Sequence, residues 1–499
     1  MDWSELRQLI PVGMVLLAAL IVVMIDLYLK HTERYVLPWI GVAGCGVALA
    51  LSVQAGAPVW FSAHDGAKAV KLGGAFVLDG FAQGVWVVAC VAGALSLLSA
   101  SHNGDDSALS TGEYCGLNLL AVAGMMLLAA SHDFLTLLLS LEIMSISTYI
   151  LAGSNRDETR SNEAALKYLV LGAFSTAFML LGMAFFYGGT GSLSLDKIVA
   201  TKAGVNITFA LLGMGLVLVG AFFKVGAAPF HFWIPDVYQG APPAITGLMA
   251  VGVKAAAFTV LTRLTFETFA DRNFSATWLP TIEVMAVATM AVGNILAMTQ
   301  SSVKRMLAYS GIAHTGYLML ALLIVPNLTL TDGGLEHYNG KDVEEHLHAI
   351  VFYLLAYGVM TLGAFGVLGL LRRDGKPLEE MRDFQGLSKE HPGVALCMAI
   401  FMLSLAGMPP LGGFFAKFMI FRGAIQEGHV LAAVLGILTS VASLYYYLRV
   451  VVQMFMSPAN EGVKGEEPAH CQYAWASSLL IYAAGLGTLL LGLVPGWVL

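Results

Sequence analysis

Five charged residues stand inside long oily tracts of this sequence. They are Glu142 in LTLLLSLEIMSISTYIL, Lys167 in EAALKYLVLGAF, Lys224 in FKVGAAPFHFWIPDVYQGAPP, Lys254 in ITGLMAVGVKAAAFTVL and Lys417 in GMPPLGGFFAKF. His231 and His314 add imidazoles, the one side chain whose ordinary titration falls near neutrality. An ionisable group within a membrane span costs about 2.5 kcal/mol or more on insertion scales, so each one demands a reason. Lys167 lies in the first turns of its tract, where a long stem can reach an interface. Glu142 and Lys254 lie near the middle of theirs, too deep for that. Desolvation favours a neutral amine and a neighbouring carboxylate favours the ammonium, so a lysine whose partner moves can take up and release a proton. One carboxylate and four lysines strung across a membrane therefore point to proton handling, with histidine or water bridging the gaps. A substrate carrier would instead show a pocket of several hydrogen-bonding groups, and no such set stands out. Arg263, Arg422 and Arg449, near the ends of their tracts, read as interface anchors. Asp26 and Asp79 lie at the edges of theirs.

The elements that must position these groups are membrane helices. Of 499 residues, 58% are hydrophobic and 12% charged, against roughly half and a quarter in an ordinary globular chain. The apolar residues come in blocks of about twenty, the length that crosses a hydrocarbon layer. Short alternating segments that would build a barrel do not stand out. Fourteen spans are expected, near 9–29, 36–54, 75–100, 114–130, 132–152, 163–187, 206–240, 243–268, 278–298, 303–325, 348–371, 392–427, 430–456 and 473–498. The first is read as a retained span and not as a cleaved signal peptide, since MDWSELRQ carries two acids and no A-x-A site follows. The seventh and twelfth are too long for one straight helix. They contain Pro229 and Pro235, and Pro409 and Pro410, respectively. Proline removes a backbone donor and clashes one turn back, so both should be discontinuous. Such breaks survive in a membrane only where protein or a water-filled cavity surrounds them.

Breaks five spans apart fit two five-helix repeats of opposite topology, spans 4–8 and 9–13, a transporter device. The expected division is residues 1–113 for three N-terminal helices, 114–268 and 278–456 for the repeats, and 457–499 for a loop and last helix. Lys and Arg are more frequent in the loops after odd-numbered spans, notably LRRDGKPLEEMRDFQGLSKEH, which places both termini outside. The net charge of −7 and the lack of a basic run give no sign of nucleic-acid binding. Cys45, Cys90, Cys115, Cys397 and Cys471 are widely spaced, without the clustering that metal, iron–sulfur or disulfide sites need.

Three stretches, FKVGAAPFHFWIPDVYQGAPP, SSVKRMLAYSGIAHTGYLML and LAGMPPLGGFFAKF, resemble the antiporter-like subunits of respiratory complex I. Among these the likeness is greatest to subunit N of bacterial NADH–quinone oxidoreductase, the counterpart of mitochondrial subunit 2. The three motifs occur in the family's order, and the likeness covers nearly the whole chain. The resemblance implies two inverted five-helix bundles around a hydrophilic axis in an inner-membrane protein that binds no cofactor itself. NADH, FMN, Fe–S clusters and quinone would then belong to partner subunits, and the neighbours would be other membrane subunits and lipid. It also implies roles. Glu142 and Lys224 would form a pair whose separation sets the lysine's proton affinity. Lys254 would connect the halves, His314 would link, and Lys417 would pass the proton outward, with Lys167 matching a further family lysine. Quinone reduction elsewhere would drive the cycle. The loops at 326–347 and 457–470 belong to no such motif and are read as solvated. The competing readings are a subunit of a multisubunit cation/proton antiporter, the membrane arm of a hydrogenase, and a scaffold bundle without a proton path.

Overall fold

Backbone polar groups cannot stay open in hydrocarbon, so an oily chain closes them within helices. The computed structural model describes residues 7–54, 70–100, 109–195, 206–269, 272–323, 340–373, 376–457, 470–471 and 475–494. The first half holds α1 (Ile10–Asp26), α2 (Leu37–Gln54), α3 (Gly80–Ala100), α4 (Thr111–Ala130), α5 (Phe134–Ala152), α6 (Thr159–Thr190), α7 (Ile207–Val225), α8 (Trp233–Gly240) and α9 (Pro243–Thr268). The second holds α10 (Arg272–Met298), α11 (Val303–Ala321), α12 (Gly340–Leu370), α13 (Pro392–Ala406), α14 (Gly412–Gln426), α15 (Val430–Phe455) and α16 (Trp475–Leu493). Among the described residues, eleven helices are long and apolar enough to cross a membrane. Residues 326–339 and 458–469 of the two expected loops lie outside the described residues.

Helix starts follow local capping chemistry. Ser110 and Glu113 form a reciprocal capping box at α4, while Asp133, Asn206 and Ser302 accept amides at the starts of α5, α7 and α11. Two expected boundaries are corrected: α12 starts at Gly340, inside the loop expected at 326–347, and the third span starts later than expected. The third span begins at Gly80 and not at 75, because Phe76–Leu78 pairs as a strand with Val70–Leu72 and the Asp79 carboxylate takes the Ala82 amide at 2.8 Å. A second small ribbon joins Leu371–Arg373, Lys376–Pro377 and His470–Cys471 at the opposite end of the helices.

The two central helices, α9 and α12, pack on each other and are almost wholly covered by neighbours. α6 and α7 approach closely because Gly182 and Gly213 face each other, and a Cβ at either would lie within 2.8 Å of the other's carbonyl oxygen. The two expected breaks are present. Val225 ends α7 and Trp233 starts α8; Ala406 ends α13 and Gly412 starts α14. Each break opens with a glycine in the left-handed region, Gly226 (φ 74°) and Gly407 (φ 87°). Each has the same paired turn bonds: the amides of Gly226 and Ala227 reach Phe223 and Phe222, and those of Gly407 and Met408 reach Ser404 and Leu403. A cis proline peptide follows three residues on in both, at Ala228–Pro229 and Pro409–Pro410.

Gly226 has no room for a side chain, since a Cβ there would stand 1.9 Å from Ile234 Cδ1. Gly226→Ala should therefore lower stability by more than about 1 kcal/mol, the usual scale of left-handed strain in a non-glycine residue. Thermal unfolding of the detergent-solubilised protein would show a lowered midpoint; an unchanged midpoint would contradict the packing described.

Candidate functional site

On α5, Glu142, Ser145 and Tyr149 are spaced three and four apart and so share one face. Lys224, in the last turn of α7, meets that face. Its Nζ donates to Ser145 Oγ at 2.9 Å and to Tyr149 Oη at 3.0 Å, with the ammonium 5.4 Å from the Tyr149 ring centre. Glu142 is half-buried and accepts from the Thr176 hydroxyl at 2.8 Å. It is not in ion-pair contact with Lys224, so the structure shows this pair apart, with Ser145 taking the ammonium. The broken segment closes the pocket. Trp233 of α8 stacks on Tyr168 and Phe223, at 4.7 and 5.4 Å, and its Nε1 donates to the Phe223 carbonyl. The backbone freed by the break is satisfied from the second half: the Ala228 amide donates to Thr289 Oγ1, and the Val225 carbonyl accepts from Thr315 Oγ1, both at 2.9 Å.

Lys254 is 3% exposed, midway along α9. Its Nζ donates to the Gly311 carbonyl at 2.5 Å and lies 5.0 Å from the Tyr357 ring. The fit is close here: a Cβ on Gly311 would stand 3.1 Å from Tyr357 Oη and 3.4 Å from Lys254 Nζ. His314, one turn further along α11, sits 4.8 Å from the Tyr357 ring. Its Nδ1 is 2.6 Å from Tyr353 Oη and its Nε2 3.3 Å from Tyr447 Oη, and Tyr447 bonds in turn to Ser310. Lys417 follows. Its Nζ donates to the carbonyls of Leu405 and Ala406, at 2.9 and 3.2 Å, and to Ser440 Oγ at 2.9 Å. The ammonium also lies 5.0 Å from the Tyr317 ring, which meets His314 edge-on. Lys254, His314 and Lys417 thus form one run, linked through Gly311, Tyr357 and Tyr317, from α9 into the second half. A cavity of about 620 Å³ between α14 and α15 has Lys417 and Ser440 in its wall, among Phe414, Phe418 and Val441.

Two expected members lie elsewhere. Lys167, 38% exposed, pairs with Glu163 and Asp236, each at 2.7 Å, and Asp236 also holds Arg305 at 2.9 Å. That network ties α6, α8 and α11 together and does not touch the other lysines. His231 is half-buried in the segment carrying Pro229 and is bonded to none of the three buried lysines. Pro409 and Pro410 occupy the second break, beside Lys417's carbonyl partners. One sequence expectation is corrected. Arg263 is not an interface anchor: it is buried, and holds Asp79 and Glu267 at 2.9 and 2.8 Å and the Ala129 carbonyl at 3.2 Å. Sequence reasoning missed the hydroxyls and rings: Ser145, Tyr149, Tyr317, Tyr353, Tyr357, Ser440 and Tyr447. The signal available was Ser145 and Tyr149 at helical spacing from Glu142.

Against known proteins, the chain matches the family model described as NADH:quinone oxidoreductase/Mrp antiporter, TM, over residues 131–443. It is 38% identical to NADH-quinone oxidoreductase subunit N of Trichlorobacter lovleyi, over 99% of this chain and 96% of that relative. The chain belongs to the subunit N family. A further family member, subunit N 1 of Solibacter usitatus, is 40% identical over 90% of this chain and 88% of its own. Among solved structures, a chain of respiratory complex I from Thermus thermophilus superposes with a TM-score of 0.77 at 32% identity, covering 97% of both chains. A chain of the Mrp complex from Dietzia sp. shares the fold, with a TM-score of 0.81 at 22% identity over 99% of this chain and 95% of that one.

The break's amide offers a test of this family member's packing. Thr289→Val removes the one hydroxyl that pairs the buried Ala228 N–H, and a buried donor left unpaired costs about 1–3 kcal/mol. The unfolding midpoint of Thr289→Val should drop accordingly, while Thr289→Ser, which keeps the hydroxyl, should lie near the parent.

Proposed function

We propose that this chain is the proton-translocating subunit N of an NADH–quinone oxidoreductase, moving protons across the bacterial inner membrane while quinone is reduced elsewhere in the complex. The observation that carries the reading is the state of Lys224, Lys254 and Lys417. All three are buried to 4% exposure or less. Among the described residues none has a carboxylate in ion-pair contact; hydroxyls, carbonyls and tyrosine faces hold them. A deeply buried charge without a counter-charge is expensive, while one that can lose its proton is tolerated. Such partners serve both forms of the amine: oxygen lone pairs accept from the ammonium, and hydroxyls can turn to donate to the neutral nitrogen. A scaffold bundle has no need of three such sites. The fuller sequence match to subunit N relatives disfavours a cation/proton antiporter or hydrogenase subunit.

In this reading the chain spans the membrane fourteen times as two inverted five-helix repeats, 114–268 and 278–456, flanked by 1–113 and 457–499, with both termini outside. Glu142 and Lys224 form the inlet pair. Approach of the carboxylate holds the proton on Lys224 and retreat to Thr176 releases it. Lys254 receives it at the join of the halves, His314 relays it between Tyr353 and Tyr447, and Lys417 delivers it outward. Lys167 and His231 stand at the inner mouth in a secondary role, Lys167 as part of the ion network on Asp236. The chain has no redox centre of its own. NADH, FMN, Fe–S clusters and quinone sit in partner subunits, and its direct contacts are other membrane subunits and lipid.

Glu142→Ala and Lys224→Ala should each assemble into the complex yet lower proton translocation per NADH oxidised by about tenfold or more, since positioned proton donors and acceptors contribute at least about a hundredfold in rate. Fluorescence quenching in proteoliposomes alongside NADH consumption measures this ratio. An unchanged ratio in both variants would sink the inlet assignment.

A further inference from the structure

A second set of ionisable groups lies at the other end of the first half, outside the path described. Asp79 precedes α3, His132 sits in the turn between α4 and α5, and Arg263 and Glu267 end α9. The guanidinium bridges the two carboxylates: Nη2 lies 2.9 and 3.0 Å from both Asp79 oxygens, and Nη1 lies 2.8 Å from Glu267 Oε1. The remaining Glu267 oxygen, Oε2, is 3.4 Å from His132 Nδ1. The His132 backbone is pinned from two sides, its amide on the Ala75 carbonyl and its carbonyl on the Leu195 amide. Asp133, beside it, has its carboxylate engaged by the Thr136 amide.

Among the described side chains, the charges of this cluster do not close without a proton. Asp79 and Glu267 carry two negative charges and Arg263 one positive, so a neutral imidazole leaves one negative charge uncompensated. One proton on His132, facing Glu267, brings the sum to zero. The accessibilities are graded in the same direction. The side chains of Arg263 and His132 are 4% and 5% exposed, whereas those of Asp79 and Glu267 are 29% and 35% exposed. Asp79 and Glu267 are thus partly exposed, while Glu267 Oε2 and both ring nitrogens of His132 are buried behind them. The C-terminal turn of α9, Leu264–Thr268, is wound as a π-helix, a geometry that recurs at functional sites. Glu267 lies thirteen residues past Lys254 on the same helix, about 20 Å at 1.5 Å per residue. The buried hydroxyls of Thr259, Thr262 and Thr265 lie between them.

The geometry points to His132 and Glu267 as a proton-binding pair at the outer end of the first repeat, poised by Arg263 and Asp79 and open to the outer solution. The ligand is a single proton, carried on His132 Nδ1 and facing Glu267 Oε2 across 3.4 Å. The outer assignment rests on the orientation proposed above; the proton-binding pair itself does not.

The test is pH-difference infrared spectroscopy on the intact purified complex with ring-labelled histidine, comparing the parent chain with His132→Asn and Glu267→Gln. The pair predicts an imidazole signal that titrates in the parent and vanishes in His132→Asn. In Glu267→Gln the cluster is neutral without the proton, so the midpoint of that signal should move down by about one pH unit or more, a tenfold loss of proton affinity. If no titrating band is lost in His132→Asn, or if Glu267→Gln leaves the midpoint in place, the pair is overturned. Should Glu267→Gln fail to assemble, Glu267→Asp withdraws the carboxylate from the imidazole while keeping its charge, and should shift the midpoint the same way by less; no shift overturns the pair. In sealed vesicles the signal should follow the pH on the Asp79 side, and a response to the opposite side would overturn the access claimed. The Lys224→Ala variant separates the two readings. Unimpaired pumping there removes the proposed function but leaves the His132 signal standing, whereas lost pumping with no His132 signal removes only the pair.

Discussion

A lysine nitrogen far from water must find oxygen, and in a helical bundle most backbone oxygen is already taken. The structure resolves that shortage in three ways, and each fixes some other feature. Lys417 takes the last carbonyls of α13, which exist as free acceptors only because the helix stops there. Lys254 takes the Gly311 carbonyl, at a residue whose missing side chain leaves room for the ammonium and the Tyr357 hydroxyl. Lys224 takes hydroxyls, Ser145 and Tyr149, brought to it by the face of α5 that also carries Glu142. In every case a tyrosine ring lies about 5 Å from the ammonium, adding the electrostatic attraction of its face. Breaks, glycines and tyrosines are consequences of keeping three lysines inside.

The two breaks share one local design and serve different lysines. Both begin with a left-handed glycine, the same pair of turn bonds and a proline three residues later. Lys224 lies before its break and Lys417 after its own, so the shared element is the opening in the helix and not the charged residue. Counted from the glycine, Lys417 occupies the position that Asp236 holds in the first half. Asp236 binds Lys167 and Arg305 and ties α8 across both halves, which holds Trp233 against the Lys224 pocket. Position by position, one half uses this register to place a buried lysine and the other to brace the broken helix.

Much of this was legible in the sequence because the bilayer imposes strong rules. A run of about twenty apolar residues has few alternatives to a helix, and proline inside the two longest runs located both breaks. The placing of Glu142 and Lys254 near the middle of their spans follows from the same counting; the depth of Lys224 does not, because its helix breaks just after it, at Gly226. What failed depended on contacts between distant segments. The strand at Phe76–Leu78 looked like the start of a helix because an apolar triplet is ambiguous without its partner at Val70–Leu72. Arg263 looked like an anchor because nothing local shows that Asp79, 184 residues earlier, lies against it. The tyrosines were overlooked for a different reason: in an oily helix a tyrosine is indistinguishable from core until its hydroxyl and ring are seen to face a charge.

The central claim is that the buried lysines exchange protons and are not fixed structural charges. Lys254 tests it most directly, since it packs against both halves and, among the described residues, has a single hydrogen-bond partner, a backbone carbonyl. Lys254→Met keeps the volume and packing of the stem and removes the titrating group. In the reconstituted complex the account predicts normal assembly and proton translocation per NADH oxidised reduced by about tenfold or more. Translocation at the parent ratio in Lys254→Met would contradict it.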